Sequence, residues 1–346
     1  MADGLDRDTA LGIFERMLAI RRFEEAVFEL RQGGHFGGHY HLYIGQEATG
    51  AAAMAALDDD DRIFTTHRNH GHLIARGADP GAALAEIIGR AGGLNGGRGG
   101  TFHIADAAHG MPHTSALVGG AVPLAAGAAL AAKLAGTKAV GVAMFGDGAF
   151  EEGVVFETLN LAKLWQLPAV FICENNTPGA IKKSAGGGNT SMLSADPLAD
   201  VPRALKIESH VVDGADPAAV FATVQSAVAR CRAGDGPAFI EALSVRWPGN
   251  QRQWPDLVTG VTDIAMAWDE TRIPDETDAP DDNAEWFRTT DPVLRACREL
   301  TATGYASADE LSAMDGRLRQ QMAAAIDLAL ASPEPDTATA LEHVLG

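Results

Sequence analysis

Cysteine and positive charge are both scarce in this sequence. Its 346 residues include three cysteines, Cys173, Cys231 and Cys297, whose wide spacing offers neither a CxxC pair nor a disulfide framework. The 27 lysines and arginines are outnumbered by 46 aspartates and glutamates, which gives a formal net charge of −19. Such an acidic chain argues against nucleic acid and anionic membranes as partners. We therefore expect a protein of the reducing cytoplasm that binds neither.

We expect neither a targeting segment nor a membrane-spanning segment from this sequence. The first ten residues, MADGLDRDTA, lack the charged-then-apolar profile of a signal peptide. The stretch from Thr114 to Ala132 carries no charge, but it is rich in glycine and alanine and contains Pro123. We interpret it as a buried helix at a subunit contact rather than a membrane span.

Apolar segments of helical length alternate with short apolar runs along the chain. We expect helices at 11–32, 48–57, 201–207 and 217–232, with a further helix opening at Asp79-Pro80, and strands at 139–145, 169–173, 210–212 and 238–245. This alternation predicts an α/β fold with a doubly wound parallel sheet and a helical C-terminal tail. We divide the chain into a main domain at 1–246 that includes the N-terminal helices, an extended loop region at 247–290 and the tail at 291–346.

The most informative segment runs from Gly146 to Asn176, GDGAFEEGVVFETLNLAKLWQLPAVFICENN. Apolar strands precede both the Gly-Asp-Gly turn and the Asn pair, and a helix lies between them. Because parallel strands of a βαβ unit end at the same edge of a sheet, Asp147 and Asn176 should meet there. Their oxygens are ligands that Mg²⁺ or Ca²⁺ takes, and a helix starting after Gly148 would direct amides at a phosphate. Taken without Asp147, the Asn pair would instead read as turn residues.

This spacing resembles the cofactor signature of thiamine diphosphate enzymes. The phrases GDGA, LNLAKLWQLP and ENN, with MLAIRRFEEAVFEL, HLYIGQEATGAAAMAAL, HRNHGHLIARG, GGRGGTFHI and ALASPEPDTATALEHVL in order, are similar to the alpha subunit of the thiamine diphosphate-dependent 2-oxo acid dehydrogenases. That family includes the pyruvate, branched-chain and acetoin dehydrogenase complexes. The resemblance implies an oxidoreductase that binds thiamine diphosphate and Mg²⁺ through the domain at 1–246, decarboxylates a 2-oxo acid and passes the acyl unit to lipoamide.

The same resemblance implies the cofactor-binding residues. Asp147, Asn176 and the backbone carbonyl of Pro178 would bind the metal. The residues expected at the cofactor are His67, Arg68, Val118, Gly146, Asp147, Gly148, Ala149 and Asn176. The guanidinium of Arg68 suits a diphosphate, although an ion pair with the acidic run at 58–61 would also explain it. Val118 would press against the cofactor rings, although it could equally be a core residue.

Histidines are concentrated in two loops. His35, His39 and His41 form one cluster, and His67, His70 and His72 form the other. His41 matches a family position near the substrate, and His70 is our second catalytic candidate. A zinc site or simple polar loop residues remain alternative interpretations, although no cysteine joins either cluster.

The chain departs from the family pattern after the strand at 238–245. Pro248 and Asn250 stand where the family carries a histidine-rich phrase that serves the substrate and acyl transfer, and Asn250 cannot carry a proton near neutral pH. Lys182 and Lys183 lie in a second divergent segment and face either an anionic substrate or solvent. These differences keep open a non-oxidative carboligase or acyl-transfer enzyme as the alternative function, and a non-catalytic scaffold as a third.

The family supplies the catalytic carboxylate from a separate beta subunit. This chain is too short for a second α/β domain of similar size. The resemblance therefore implies a beta subunit partner in an α2β2 heterotetramer, with a lipoyl acyltransferase as a further partner.

Overall fold

Six parallel strands form the central sheet. A computed structural model describes residues 4–176, 193–246, 261–273 and 283–342. The strands are β1 (Arg62–Thr65), β2 (His113–Thr114), β3 (Gly141–Gly146), β4 (Ala169–Asn175), β5 (Glu208–Asp213) and β6 (Ala238–Leu243). Their order across the sheet is β2-β1-β3-β4-β6-β5, and every neighbouring pair is parallel.

Helices cover both faces of this sheet. They are α1 (Arg7–Gln32), α2 (Glu47–Ala55), α3 (His70–Arg76), α4 (Pro80–Ile87), α5 (Ala121–Ala135), α6 (Gly153–Leu164), α7 (Asp200–Ala204), α8 (Pro217–Ala233), α9 (Asn283–Glu285), α10 (Pro292–Ala302) and α11 (Ala308–Ala331). Short 3₁₀ segments and one π-helical turn, Trp286–Thr290, join some of them.

The two faces of the strands build two separate cores. Val142 and Ile172 pack with helices α1, α2 and α8 on one side, whereas Ala143 and Phe171 pack with α5 and α6 on the other. Successive side chains of a strand point to opposite faces, so a strand covered on both sides must be apolar throughout. The predicted doubly wound α/β fold is therefore confirmed.

Helix starts follow local capping chemistry. The side chains of Asp79 and Asp216 accept backbone N–H groups of the first turns of α4 and α8, and each is followed by a proline at the first helical position. Ser307 and Glu310 form a reciprocal capping box at α11. These sequence signals explain why the predicted helix starts are close to the observed ones.

Two expectations about local structure were wrong. The uncharged stretch that begins at Thr114 is not helical from its start, because strand β2 and a turn precede α5, which begins at Ala121. The helix expected directly after Gly148 is also delayed. A 3₁₀ segment, Asp147–Glu151, follows β3, and α6 begins only at Gly153.

The C-terminal helices pack onto the N-terminal ones. Helix α11 contacts α1 and α4, and its Leu311, Met322 and Ala329 belong to the same core as α1. The domain limits at 246 and 290 stay predictions. In the described part of the chain, every helix is too short or too polar to span a bilayer.

Candidate functional site

One cavity of about 210 Å³ lies at the carboxyl edge of the sheet. It is lined by Thr66, His67, Arg68, Leu117, Val118, Gly146, Asp147, Gly148, Ala149, Glu174, Asn176 and Arg246. These residues lie at or just beyond the carboxyl ends of β1, β2, β3, β4 and β6, where open α/β sheets bind ligands. All eight residues predicted to bind the cofactor line this one cavity.

A larger groove lies elsewhere, between α1 and α11. Its volume is about 540 Å³, and its lining includes Phe28, Met322 and Ile326. None of the predicted site residues lines it, so the chemistry expected from the sequence belongs to the smaller cavity.

Asp147 and Asn176 meet because β3 and β4 are adjacent. Gly146 of β3 pairs in register with Glu174 of β4, which brings the residue after each strand end to the same edge. The side-chain amide nitrogen of Asn176 donates to Oε1 of Gln46 at 3.1 Å. That hydrogen bond uses the donor side of the amide and leaves its oxygen as the group available to a ligand.

A carboxylate and an amide oxygen suit Mg²⁺, which keeps several water or phosphate ligands and rarely needs an all-protein cage. Among the described residues, no group of three or more His, Cys, Asp or Glu side chains is placed to hold a metal ion. The zinc interpretation of the histidine clusters therefore gains no support there. This pair of donors fits a magnesium ion that takes its remaining ligands from a diphosphate and water.

Arg68 is buried and does not pair with the acidic run. One of its terminal nitrogens donates to the carbonyl oxygen of Leu42. Burial first, and then the nearby charge of Arg246, lower the pKa of Arg68 to about 9. The acidic run pairs instead with Arg232, through Asp58 at 2.9 Å and Asp61 at 2.7 Å. The surface ion pair considered for Arg68 is therefore wrong.

Arg246 is a cavity residue that the sequence analysis missed. It follows β6 by three residues and is partly buried. Burial lowers the pKa of its guanidinium, and the negative charge of Asp147 opposes that shift. Gly45 has φ +100° and packs against the backbone of Val245. A Cβ atom added at Gly45 would lie only 2.5 Å from the carbonyl oxygen of Val245, so a larger residue would not fit. The close approach of these two backbones holds Arg246 at the cavity.

His67 and His41 contact each other beside the cavity with their rings tilted by 60°. Their ring centroids are 4.6 Å apart, and the His41 ring stacks on Phe102 at 5.6 Å. Burial and then Arg68 lower the pKa of His67 to about 4 and that of His41 to about 3. Both imidazoles are therefore neutral at physiological pH. His67 lines the cavity, whereas His41 lies behind it.

His70 is fully buried at the start of α3. Its Nδ1 lies 3.1 Å from a carboxylate oxygen of Glu24, and its Nε2 lies 2.8 Å from the hydroxyl of Thr101. Both ring nitrogens are thus engaged inside the protein. His70 does not line the cavity, and its catalytic assignment stays a prediction.

Glu174 is a second site residue that the sequence analysis missed. It lines the cavity and accepts a hydrogen bond from the hydroxyl of Tyr43. Nε2 of His72 lies 3.3 Å from the same carboxylate, and Nδ1 of His72 lies 2.8 Å from the hydroxyl of Thr65. Burial and the negative charge of Glu174 raise the pKa of Tyr43 well above its usual value. This hydrogen-bond network links Glu174 at the cavity to Thr65 of strand β1.

Val118 is not a core residue, because 45% of it is exposed. It lines the cavity with Leu117, which is 71% exposed. Both side chains lie just beyond β2, between the cavity and the surface. Pro178, Lys182, Lys183, Pro248 and Asn250 lie outside the described residues.

Comparison with known proteins gives a consistent result. The family model of the dehydrogenase E1 component matches residues 15–338. The alpha subunit of acetoin:2,6-dichlorophenolindophenol oxidoreductase from Bacillus subtilis is 43% identical over 242 residues, which cover 70% of this chain and 71% of that protein. The pyruvate dehydrogenase E1 component subunit alpha of Rhizobium meliloti is 34% identical over 98% of this chain and 90% of its own length. The acetoin:2,6-dichlorophenolindophenol oxidoreductase alpha subunit of Cupriavidus necator is 36% identical over 96% of this chain and 92% of its own length.

Proposed function

The chain belongs to the dehydrogenase E1 component family as an alpha subunit of a thiamine diphosphate-dependent 2-oxo acid dehydrogenase, and from this premise we propose how its residues serve the decarboxylation. The resemblance predicted from the sequence is thereby confirmed. The observation that carries the proposal is the single cavity lined by all eight predicted cofactor residues.

Asp147 and Asn176 would hold Mg²⁺, with the backbone carbonyl of Pro178 as the further protein ligand that the family resemblance implies. Arg68 would donate hydrogen bonds to the phosphate oxygens, and the metal would offset part of the diphosphate charge. Gly148 and Ala149 line the cavity in the first turn after β3, where backbone N–H groups would be further donors to the phosphate. Bound here, thiamine diphosphate supplies a nucleophilic carbon for the 2-oxo acid carbonyl and an electron sink for the decarboxylation.

His67 and His41 stay neutral beside the reacting groups. A neutral imidazole has one donor and one acceptor nitrogen, so it can orient a substrate oxygen without adding charge. His41 reaches this role through its contact with His67, whereas His70 holds helix α3 against Glu24 of α1. We therefore favour His41 over His70 as the residue nearer to the substrate.

A beta subunit completes the active site. The cavity of about 210 Å³ is smaller than the roughly 300–1,000 Å³ of ordinary ligand pockets, which agrees with a site that is completed by a second chain. Exposed apolar side chains lie at the cavity and on or next to α5 and α6, namely Leu117, Val118, Leu124, Leu134, Leu161, Leu164 and Trp165. Large exposed apolar side chains grouped on a soluble protein commonly mark a subunit interface. We propose that it contributes to an α2β2 heterotetramer.

The acceptor we propose is lipoamide on a lipoyl acyltransferase. The relatives carry dehydrogenase and oxidoreductase names, which favours this oxidative function over the non-oxidative alternative. The three cysteines are buried and free of disulfides, which is consistent with a reducing cytoplasm.

Calorimetric titration of the assembled alpha and beta subunits with thiamine diphosphate and Mg²⁺ tests the proposal. The wild-type assembly should bind the cofactor only when Mg²⁺ is present. Asp147→Ala should abolish this binding without lowering the melting temperature of the cofactor-free protein, because Asp147 lies at an open cavity edge. Unchanged affinity in the variant would show that Asp147 is not a metal ligand.

A further inference from the structure

Two arginines line the cofactor cavity beside Asp147 and Glu174, and neither forms a close ion pair with a carboxylate of the described residues. They are Arg68 and Arg246, and each lowers the pKa of its neighbours His41 and His67. Within residues 4–176, 193–246, 261–273 and 283–342, no carboxylate oxygen lies within 4.0 Å of either guanidinium. Elsewhere in the same fold, the buried Arg21 is paired with both Glu47 and Asp291.

Two unpaired guanidiniums in one partly desolvated cavity repel each other. A buried charge without a partner is costly, and proteins normally pair such groups or use them to bind an ion. Among the described residues, Asp147 is the carboxylate whose negative charge acts favourably on Arg246. Arg246 and Asp147 line the same cavity, so the guanidinium lies in the space where a diphosphate is expected.

The backbone around Arg246 is fixed before any ligand binds. The N–H of Ser244 donates to the carbonyl of Asn175 at 3.0 Å, and the indole of Trp286 donates to the carbonyl of Val245 at 3.1 Å. Gly45 closes against the same peptide unit. Contacts from three separate parts of the chain thus hold this arginine at the cavity, which is the arrangement expected of a preorganised binding residue.

We propose that Arg246 is a second arginine of the diphosphate site and binds the phosphate oxygens together with Arg68. This assignment rests on the proposed function, because it presumes that thiamine diphosphate occupies the cavity. Arg246 replaces the lost hydration of the anion with a planar, permanently charged donor set that matches phosphate geometry. It also explains why this arginine lies here without a carboxylate partner among the described residues.

The test compares Arg246→Gln and Arg246→Lys with the wild type in the assembled alpha and beta subunits. Two titrants are used, each in the presence of Mg²⁺. One is thiamine diphosphate, and the other is inorganic diphosphate, which reports on the phosphate end of the site alone. Arg246→Gln should weaken the binding of both about 10- to 100-fold, as expected for loss of hydrogen bonds to a charged group. Arg246→Lys should weaken it less, because the charge remains and the fork is lost. Arg317→Gln, which removes an exposed arginine paired with Glu15 on the surface, is the matched control.

The outcomes separate this inference from the proposed function. If the wild-type assembly fails to bind thiamine diphosphate, the proposed function itself is wrong. If the wild type binds and Arg246→Gln binds equally well, only the role of Arg246 is overturned. A variant that melts earlier without cofactor and keeps its affinity for inorganic diphosphate would likewise assign Arg246 to the fold. Should Arg246→Gln fail to fold, wild-type affinity in Arg246→Lys would overturn the proposal.

Discussion

Replacing Gln46 with methionine should weaken Mg²⁺ binding while leaving the fold nearly unchanged. Gln46 is fully buried, and its Oε1 is the acceptor that holds the amide nitrogen of Asn176. Methionine has a similar length but offers no comparable acceptor. Without that hydrogen bond, the amide of Asn176 can rotate and present its nitrogen to the metal. Loss of a partner that orients a metal ligand typically costs about 10- to 100-fold in affinity, or about 1.4–2.8 kcal/mol.

The expected effect on folding is smaller, for a reason visible at the same side chain. Nε2 of Gln46 is buried and has no hydrogen-bond partner among the described residues. Methionine removes this unsatisfied donor, which offsets the loss of one hydrogen bond of about 0.5–1.5 kcal/mol. The half-buried amide of Asn176 can then use water as an acceptor. The free energy of unfolding should therefore change by less than about 1.5 kcal/mol.

The assay is a Mg²⁺ titration of the alpha and beta assembly at saturating thiamine diphosphate, followed by calorimetry. Asn176→Ala and the double variant complete a thermodynamic cycle. If Gln46 acts through Asn176, the double variant should bind Mg²⁺ no more weakly than Asn176→Ala alone. A wild-type Mg²⁺ midpoint in Gln46→Met would refute the reasoning, and so would a further full-sized loss in the Asn176→Ala background.

Three other predictions concern pH, the partner and the apolar surface. The pKa of His67 is about 4 in the folded chain, whereas a histidine in the unfolded chain has a pKa of about 6.5. Between these two pH values the unfolded chain binds a proton at His67 that the folded chain does not bind. Stability should therefore fall as pH drops from 6.5 toward 4, and thermal melts of cofactor-free His67→Phe should show a smaller fall; an identical fall would assign the pH dependence to other groups. The isolated chain should release no CO₂ from a 2-oxo acid, and adding the beta subunit should restore release; turnover by the pure chain would contradict the shared site. Leu124→Glu should weaken assembly with the beta subunit in analytical ultracentrifugation by at least about tenfold, as loss of a buried interface side chain does, whereas Glu15→Gln, on an exposed part of α1, should not.

The edge of the sheet was the most predictable part of the site. The parallel arrangement alone brings residues after strand ends together, so the separation of Asp147 and Asn176 in sequence was no obstacle. The same rule applied to every strand would also have flagged Arg246, which follows β6 in the phrase SVRWPG. The phrase alone does not single it out, because an arginine in a loop is ordinarily a solvated surface residue.

Other features depend on tertiary packing that no local pattern encodes. The sequence around Glu174 reads as an apolar strand end, and nothing in it indicates that Tyr43 and His72 converge on its carboxylate. The delayed start of α6 is similar, because a 3₁₀ turn at 147–151 and a longer α-helix share the same residue preferences. The burial of His70 depends on how α3 packs against α1, which the His-Gly pattern of the loop cannot reveal.

Local and global electrostatics oppose each other in this molecule. A net charge of −19 repels an anionic cofactor at long range, yet the cavity presents two guanidiniums that the described residues leave unpaired. Repulsion by surface carboxylates is screened beyond about 8 Å at physiological ionic strength, whereas groups inside a partly desolvated cavity are screened far less. Inside the cavity, Arg68 and Arg246 are therefore the groups that attract the diphosphate, while Mg²⁺ would offset the carboxylates of Asp147 and Glu174. Because Asp147 places a negative charge beside Arg246, a bare diphosphate is less favourable there than one that arrives with Mg²⁺. The arrangement thus selects the metal complex over the free anion, which is why cofactor binding should depend on Mg²⁺ rather than merely be strengthened by it.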